Sequence, residues 1–174
     1  MAIIFKPNHR RVMDALTDLI QTEYVGTPVL FADPERFKNR SPQFFSIIPS
    51  DANLLENYAG GSLREYQVFI RYYLRKPRLI NYRTSIFDYL ADKGERLTRL
   101  INNNTKYEDS KNSFSELDLA FGTLADAFSS IVTYRWHNAR IDNINYDPSR
   151  SATEDKRDLQ IFEANFICNV MELT

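Results

Sequence analysis

DLQIFEANFICNVMEL, Asp158 to Leu173, is the stretch that decides the fold of this 174-residue chain. Counting by twos puts Phe162, Ala164, Phe166, Cys168 and Val170 on one side of an extended strand. The other side carries Ile161, Ile167 and Met171 among Glu163, Asn165 and Asn169. A strand in a sheet covered on one side should be apolar on that side only. The additional apolar groups therefore imply partial burial of the second side, by a helix folding back or by a neighbouring subunit. Upstream lies a second extended stretch, NARIDNINY, Asn138 to Tyr146. The polar segment between them, DPSRSATEDKR, Asp147 to Arg157, makes the pair a β-hairpin with a long charged loop.

Working outward, Glu65 is followed by the clearest alternation in the chain. Tyr66, Val68, Ile70, Tyr72 and Leu74 form one side, which is expected to cover a core. Gln67, Phe69, Arg71, Tyr73 and Arg75 form the other, a mixture of rings and guanidinium groups that suits either protein contact or an ordinary solvated face. Before it, Gln43 to Ile48 reads as a strand closed by Pro49, and Asp51 to Gly61 as a loop. Thr27 to Ala32 is a short extended piece, and Asp33 to Ser41 is turn-like.

Three segments have helical periodicity. Val12, Met13, Leu16, Leu19, Ile20 and Tyr24 mark a helix from about His9 to Tyr24, with Gly26 as its stop. Ser85 and Asp88 open a second, whose apolar stripe is Ile86, Phe87, Leu90, Leu97, Leu100 and Ile101. Gly94 weakens its middle or divides it in two. After a polar stretch, Thr105 to Asn112, a third pattern runs through Leu117, Phe121, Leu124, Phe128 and Ile131. Strands in consecutive pairs with helices between them give an α+β fold: a mainly antiparallel four-stranded sheet with two to three helices packed on one face. Length favours one domain over residues 1–174.

Chemistry is hard to find. The net charge of −1 gives no field that would gather nucleic acid or anionic lipid. His9 and His137 have no ligand-spaced partners, and the lone Cys168 reads as a small buried hydrophobe. Asp88 with Asp92, and Asp155 with Asp158, belong to charge-alternating surfaces. No nucleotide-binding or hydrolase motif is present, and Gly60-Gly61 is better explained by a turn before a long strand. Met1 to Phe5 is apolar but gives way at once to Lys6 and Pro7, so neither a signal peptide nor a membrane span is expected. The expectation is a non-enzyme without cofactor or metal. Arg71, Arg75, Lys76 and Arg78 with Tyr72, Tyr73 and Tyr82 allow a nucleic-acid platform as a minor alternative.

The order of elements resembles the tail terminator, or tail completion, proteins of long-tailed bacteriophages. The likeness runs through VLFADPERF (from Val29), PQFFSIIPSD (from Pro42), REYQVFIRYYLR (from Arg64), ARIDNINYDPS (from Ala139) and DLQIFEANFICNVME (from Asp158). Tyr146-Asp147-Pro148 at the end of one strand and Glu163-Ala164-Asn165-Phe166 in the last are its most suggestive parts. The chain departs from the compact members by a helical insertion at about 105–136. The resemblance implies a homohexameric ring at the virion neck, assembled in the host cytoplasm. Such a ring caps the tail tube, stops its polymerisation and offers its other face to a head-completion or connector protein. It involves no membrane and no sequence-specific nucleic acid. Another head–tail connector or minor tail protein is the alternative. The expected docking loop is represented by Arg150, Glu154, Lys156 and Arg157, and the expected ring contacts by Phe69, Arg71, Tyr73, Ile161, Ile167 and Met171.

Overall fold

A computed structural model describes residues 8–31, 41–59, 61–75, 86–109, 134–146 and 158–173. Its elements in chain order are α1 (Asn8–Glu23), β1 (Val29–Leu30), β2 (Gln43–Tyr58), β3 (Gly61–Arg75), α2 (Ile86–Asn103), β4 (Tyr107–Asp109), β5 (Tyr134–Asn145) and β6 (Asp158–Leu173). The strands form a six-stranded sheet in the order β1-β2-β3-β6-β5-β4. All pairings are antiparallel except β1 with β2, so the sheet is mixed.

The α+β class agrees with the sequence reading, and the four-stranded count is corrected. β1 and β4 add short strands at the two sides, pairing with Phe45–Ser46 and with Tyr134–Trp136 respectively. β1 falls within the piece read as extended, Thr27 to Ala32, while β4 lies in a polar stretch without an alternation that would have revealed it. A larger correction concerns Asp51 to Gly61. The strand does not close at Pro49 but continues to Tyr58, paired with β3 down to Tyr58–Gly61. An extra residue on β2 between Pro49 and Ala52, and another between Leu54 and Glu56, interrupt the period of two. Without alternation, the segment looked like a loop. The third helical pattern, through Leu117 and Ile131, lies outside the described residues.

β6, last in sequence, lies between β3 and β5 near the middle of the sheet. Registers line up its apolar side with that of β3: Tyr72 opposite Phe162, Ile70 opposite Ala164, Val68 opposite Phe166, Tyr66 opposite Cys168. Phe45 extends the first of these rows, its ring 4.9 Å from Tyr72, which in turn stacks 5.5 Å from Phe162. Both helices pack on this face. Val12, Leu16 and Ile20 of α1 and Leu97 and Ile101 of α2 join the sheet residues in one core, each fully buried. Trp136 closes its β5 side, buried and donating its indole N–H to Asn104 O at 3.0 Å.

Several polar groups at the core are hydrogen-bonded to one another. Tyr72 OH donates to Gln43 Oε1 at 2.6 Å, Tyr89 OH lies 2.9 Å from Tyr72 OH, and Gln43 Nε2 donates to Thr27 Oγ1 at 3.2 Å. Tyr24 OH donates to Lys93 O at 2.6 Å, and Arg96 binds Glu23 at 2.5 Å, fastening α1 to α2. Helix α2 runs unbroken through Gly94, and the reason for the glycine is steric. A Cβ there would come 2.9 Å from Cζ of Tyr146 and closer still to its hydroxyl. Gly94 is the seat of a tyrosine at the end of β5.

Candidate assembly surface

The second face of the sheet, away from the helices, is where the ring contacts were expected. Only part of that set is available. Arg71 is half-buried and donates to its cross-strand neighbour Glu163 at 2.6 Å. The carboxylate holds the guanidinium above its ordinary pKa, against an opposing effect of burial that is larger than either single hydrogen bond or charge. Beside it, Arg140 lies 3.6 Å from Glu65, which also accepts from Gln67 at 3.2 Å. Phe69 is half-buried in the row Ile48–Phe69–Asn165.

Tyr73 and Ile167 are both buried within the single chain, at 2% and 5% exposure. Tyr73 stacks on its cross-strand partner Phe44, centroids 4.9 Å apart, with Leu30 packed against the pair. Ile167 stands between Gln67 and Arg140 in the register, two long side chains able to lie along it. Partial burial of the second face of β6 was correctly inferred, but a neighbouring subunit is not needed for it. Flanking Ile167 on that face, Asn165 Oδ1 and Asn169 Oδ1 are buried and make no hydrogen bond among the described residues. The count by twos that grouped Ile161 with Ile167 is interrupted, because Ile161 is the extra residue where Tyr72 pairs Phe162 and Tyr73 pairs Gln160. The side chains of Ile161 and Met171, and all of Arg150, Glu154, Lys156 and Arg157, lie outside the described residues.

A surface the sequence reading missed lies on the outer half of β2. Residues 51–58 are exposed, whichever side of the sheet they stand on. Leu54 at 52%, Leu55 at 47% and Tyr58 at 49% place three large apolar side chains in water within five positions. Asp51 and Glu56 are the arm's charges, and Tyr58 OH hydrogen-bonds to Glu56. Lengths explain the exposure. Helices of 16 and 18 residues span about 24 and 27 Å. A 16-residue strand spans about 50 Å, so roughly half of it must extend past any helix lying along it. One sequence signal could have found the arm: a Gly-Gly turn needs a strand on each side, and Leu54-Leu55 is out of place in a loop.

Among the described residues, the outer edge of β2 is covered by β1 only at Phe45 and Ser46, and that of β5 by β4 only at Tyr134 to Trp136. Both outer strands are irregular. β2 carries Pro49 and two extra residues, while β5 carries extra residues between His137 and Arg140 and between Ile141 and Asn143. Asn138, at φ 53°, supplies one of the β5 kinks in the left-handed region that asparagine tolerates. Bulges and prolines twist an edge away from further strand pairing. The arm therefore offers side chains more readily than backbone.

Burial pushes the Cys168 thiol above its ordinary range, which keeps it protonated and unreactive. His9 Nε2 lies 3.1 Å from Asp51 O, and its ring packs edge-on against Tyr66. Among the described residues, no group of three or more His, Cys, Asp or Glu is placed to hold a metal ion. No described helix is long and apolar enough to cross a membrane. Of the nucleic-acid platform, the rings of Tyr72 and Tyr73 are inside the protein and Arg71 is paired with Glu163. Arg75's side chain, Lys76, Arg78 and Tyr82 lie outside the described residues.

No protein-family model matches the chain, and no curated protein matches it either. Among solved structures it is similar to the sheath/tube terminator, in the extended state, of the extracellular contractile injection system PVC. The match has 13% sequence identity and a TM-score of 0.43. It covers 100% of this chain and 58% of that one, so this chain spans little more than half the length of its structural neighbour.

Proposed function

We propose that this chain is a structural, non-catalytic subunit of a phage-type tail. In this reading it assembles with copies of itself into a ring, a hexamer by analogy with the family it resembles. The ring seats on the end of the tail tube, stops its growth and presents a second face to a head-completion or connector protein at the virion neck. Its work is steric and interfacial, and no bond is made or broken. The observation that carries the reading is the outer arm of β2, where Leu54, Leu55 and Tyr58 are exposed among the described residues, on the half of the strand beyond the rows that α1 and α2 cover. Three large apolar groups clustered on an irregular edge are costly to leave solvated and suit an interface core. The charged Arg71–Glu163 and Arg140–Glu65 pairs on the second face suit its polar rim.

The test is assembly of the full chain, alone and with purified tail tubes. Light scattering after size exclusion, followed by electron microscopy of tube ends, should show rings free or seated on tubes. Leu54→Glu/Leu55→Glu should abolish both while leaving circular dichroism unchanged. A wild-type chain that stays monomeric at high concentration and leaves tube ends bare would overturn the proposal. Rings that persist in the double variant would retain the function and remove the arm from it.

A further inference from the structure

We draw no further inference here: the strongest candidate, the surface patch of Leu54, Leu55 and Tyr58 on the outer half of β2, belongs to the surface already described, and nothing in the structure shows which partner covers it.

Discussion

The two halves of β2 are one continuous strand with opposite fates. Phe44, Phe45, Ser46 and Ile47 are buried, whereas residues 51–58 are exposed. Backbone pairing does not distinguish the halves, because β3 accompanies the strand along its length. Coverage does. α1 and α2 supply Val12, Leu16, Ile20, Leu97 and Ile101 over the inner rows, and α1 meets the arm at its first residue, where His9 Nε2 lies 3.1 Å from Asp51 O. Stability should therefore reside in the inner half and assembly in the outer one.

The largest effect that tests this division is Phe45→Ala. Phe45 is fully buried, with its ring centroid 4.8, 4.9 and 6.4 Å from those of Tyr24, Tyr72 and Phe162. Truncation should lower the unfolding free energy by about 3–5 kcal/mol, read as a fall in the urea midpoint at constant slope. A loss below about 1 kcal/mol would mean that the inner half is not the core that burial indicates.

Next comes the seat of Tyr146, which holds the end of β5 against α2 on the covered side. Gly94→Ala should cost about 1–3 kcal/mol through overpacking, although alanine favours the helix by about 1 kcal/mol. In a Tyr146→Ala background the same substitution should reverse sign and stabilise by about 0.5–1 kcal/mol. A stabilising Gly94→Ala with Tyr146 intact would show that the ring, 42% exposed, swings aside freely.

Alkaline titration gives a smaller test of the inner half. Desolvation raises Tyr24, Tyr72 and Cys168 above their ordinary values of 10.0 and 9.0. The unfolded chain releases these protons first. These groups therefore leave stability unchanged below about pH 9 and lower it as pH rises further. Each proton contributes a slope of up to about 1.4 kcal/mol per pH unit. Cys168→Ala should remove the component that begins near pH 9 and leave the one that begins near pH 10. Denaturation midpoints that stay flat from pH 8 to 11 would mean that water reaches these groups in the folded state.

The smallest expected change in stability belongs to the arm. Leu54→Ala and Leu55→Ala should each move the urea midpoint by no more than about 0.5 kcal/mol equivalent. A larger loss would show that the arm is packed in the free subunit, and the contrast between the halves of β2 would disappear.

The strand faces were legible wherever a period of two survived. Tyr66 to Leu74 and Phe162 to Val170 were both assigned correctly to the core, as were Val12, Met13, Leu16 and Ile20 of α1 and Leu97 and Ile101 of α2. Periodicity failed where bulges interrupt it, at Ser50–Asp51 and at Leu55, and there the reading lost an arm. Tyr73 and Ile167 alternate as surface residues should, yet cross-strand neighbours from distant segments close over them.

By itself, then, the sequence determined the two described helices, the strands over Gln43–Ile48, Tyr66–Arg75 and Asp158–Leu173, and which side of the long strands is apolar. Hydrophobic period and residue chemistry are local properties, and they survive in any topology. Only the tertiary structure decided that β6 lies between β3 and β5, that Gly94 must yield to Tyr146, and where the helices stop covering the sheet. Each of those depends on contacts between residues far apart in the chain and on the unequal reach of a helix and a strand of similar residue count.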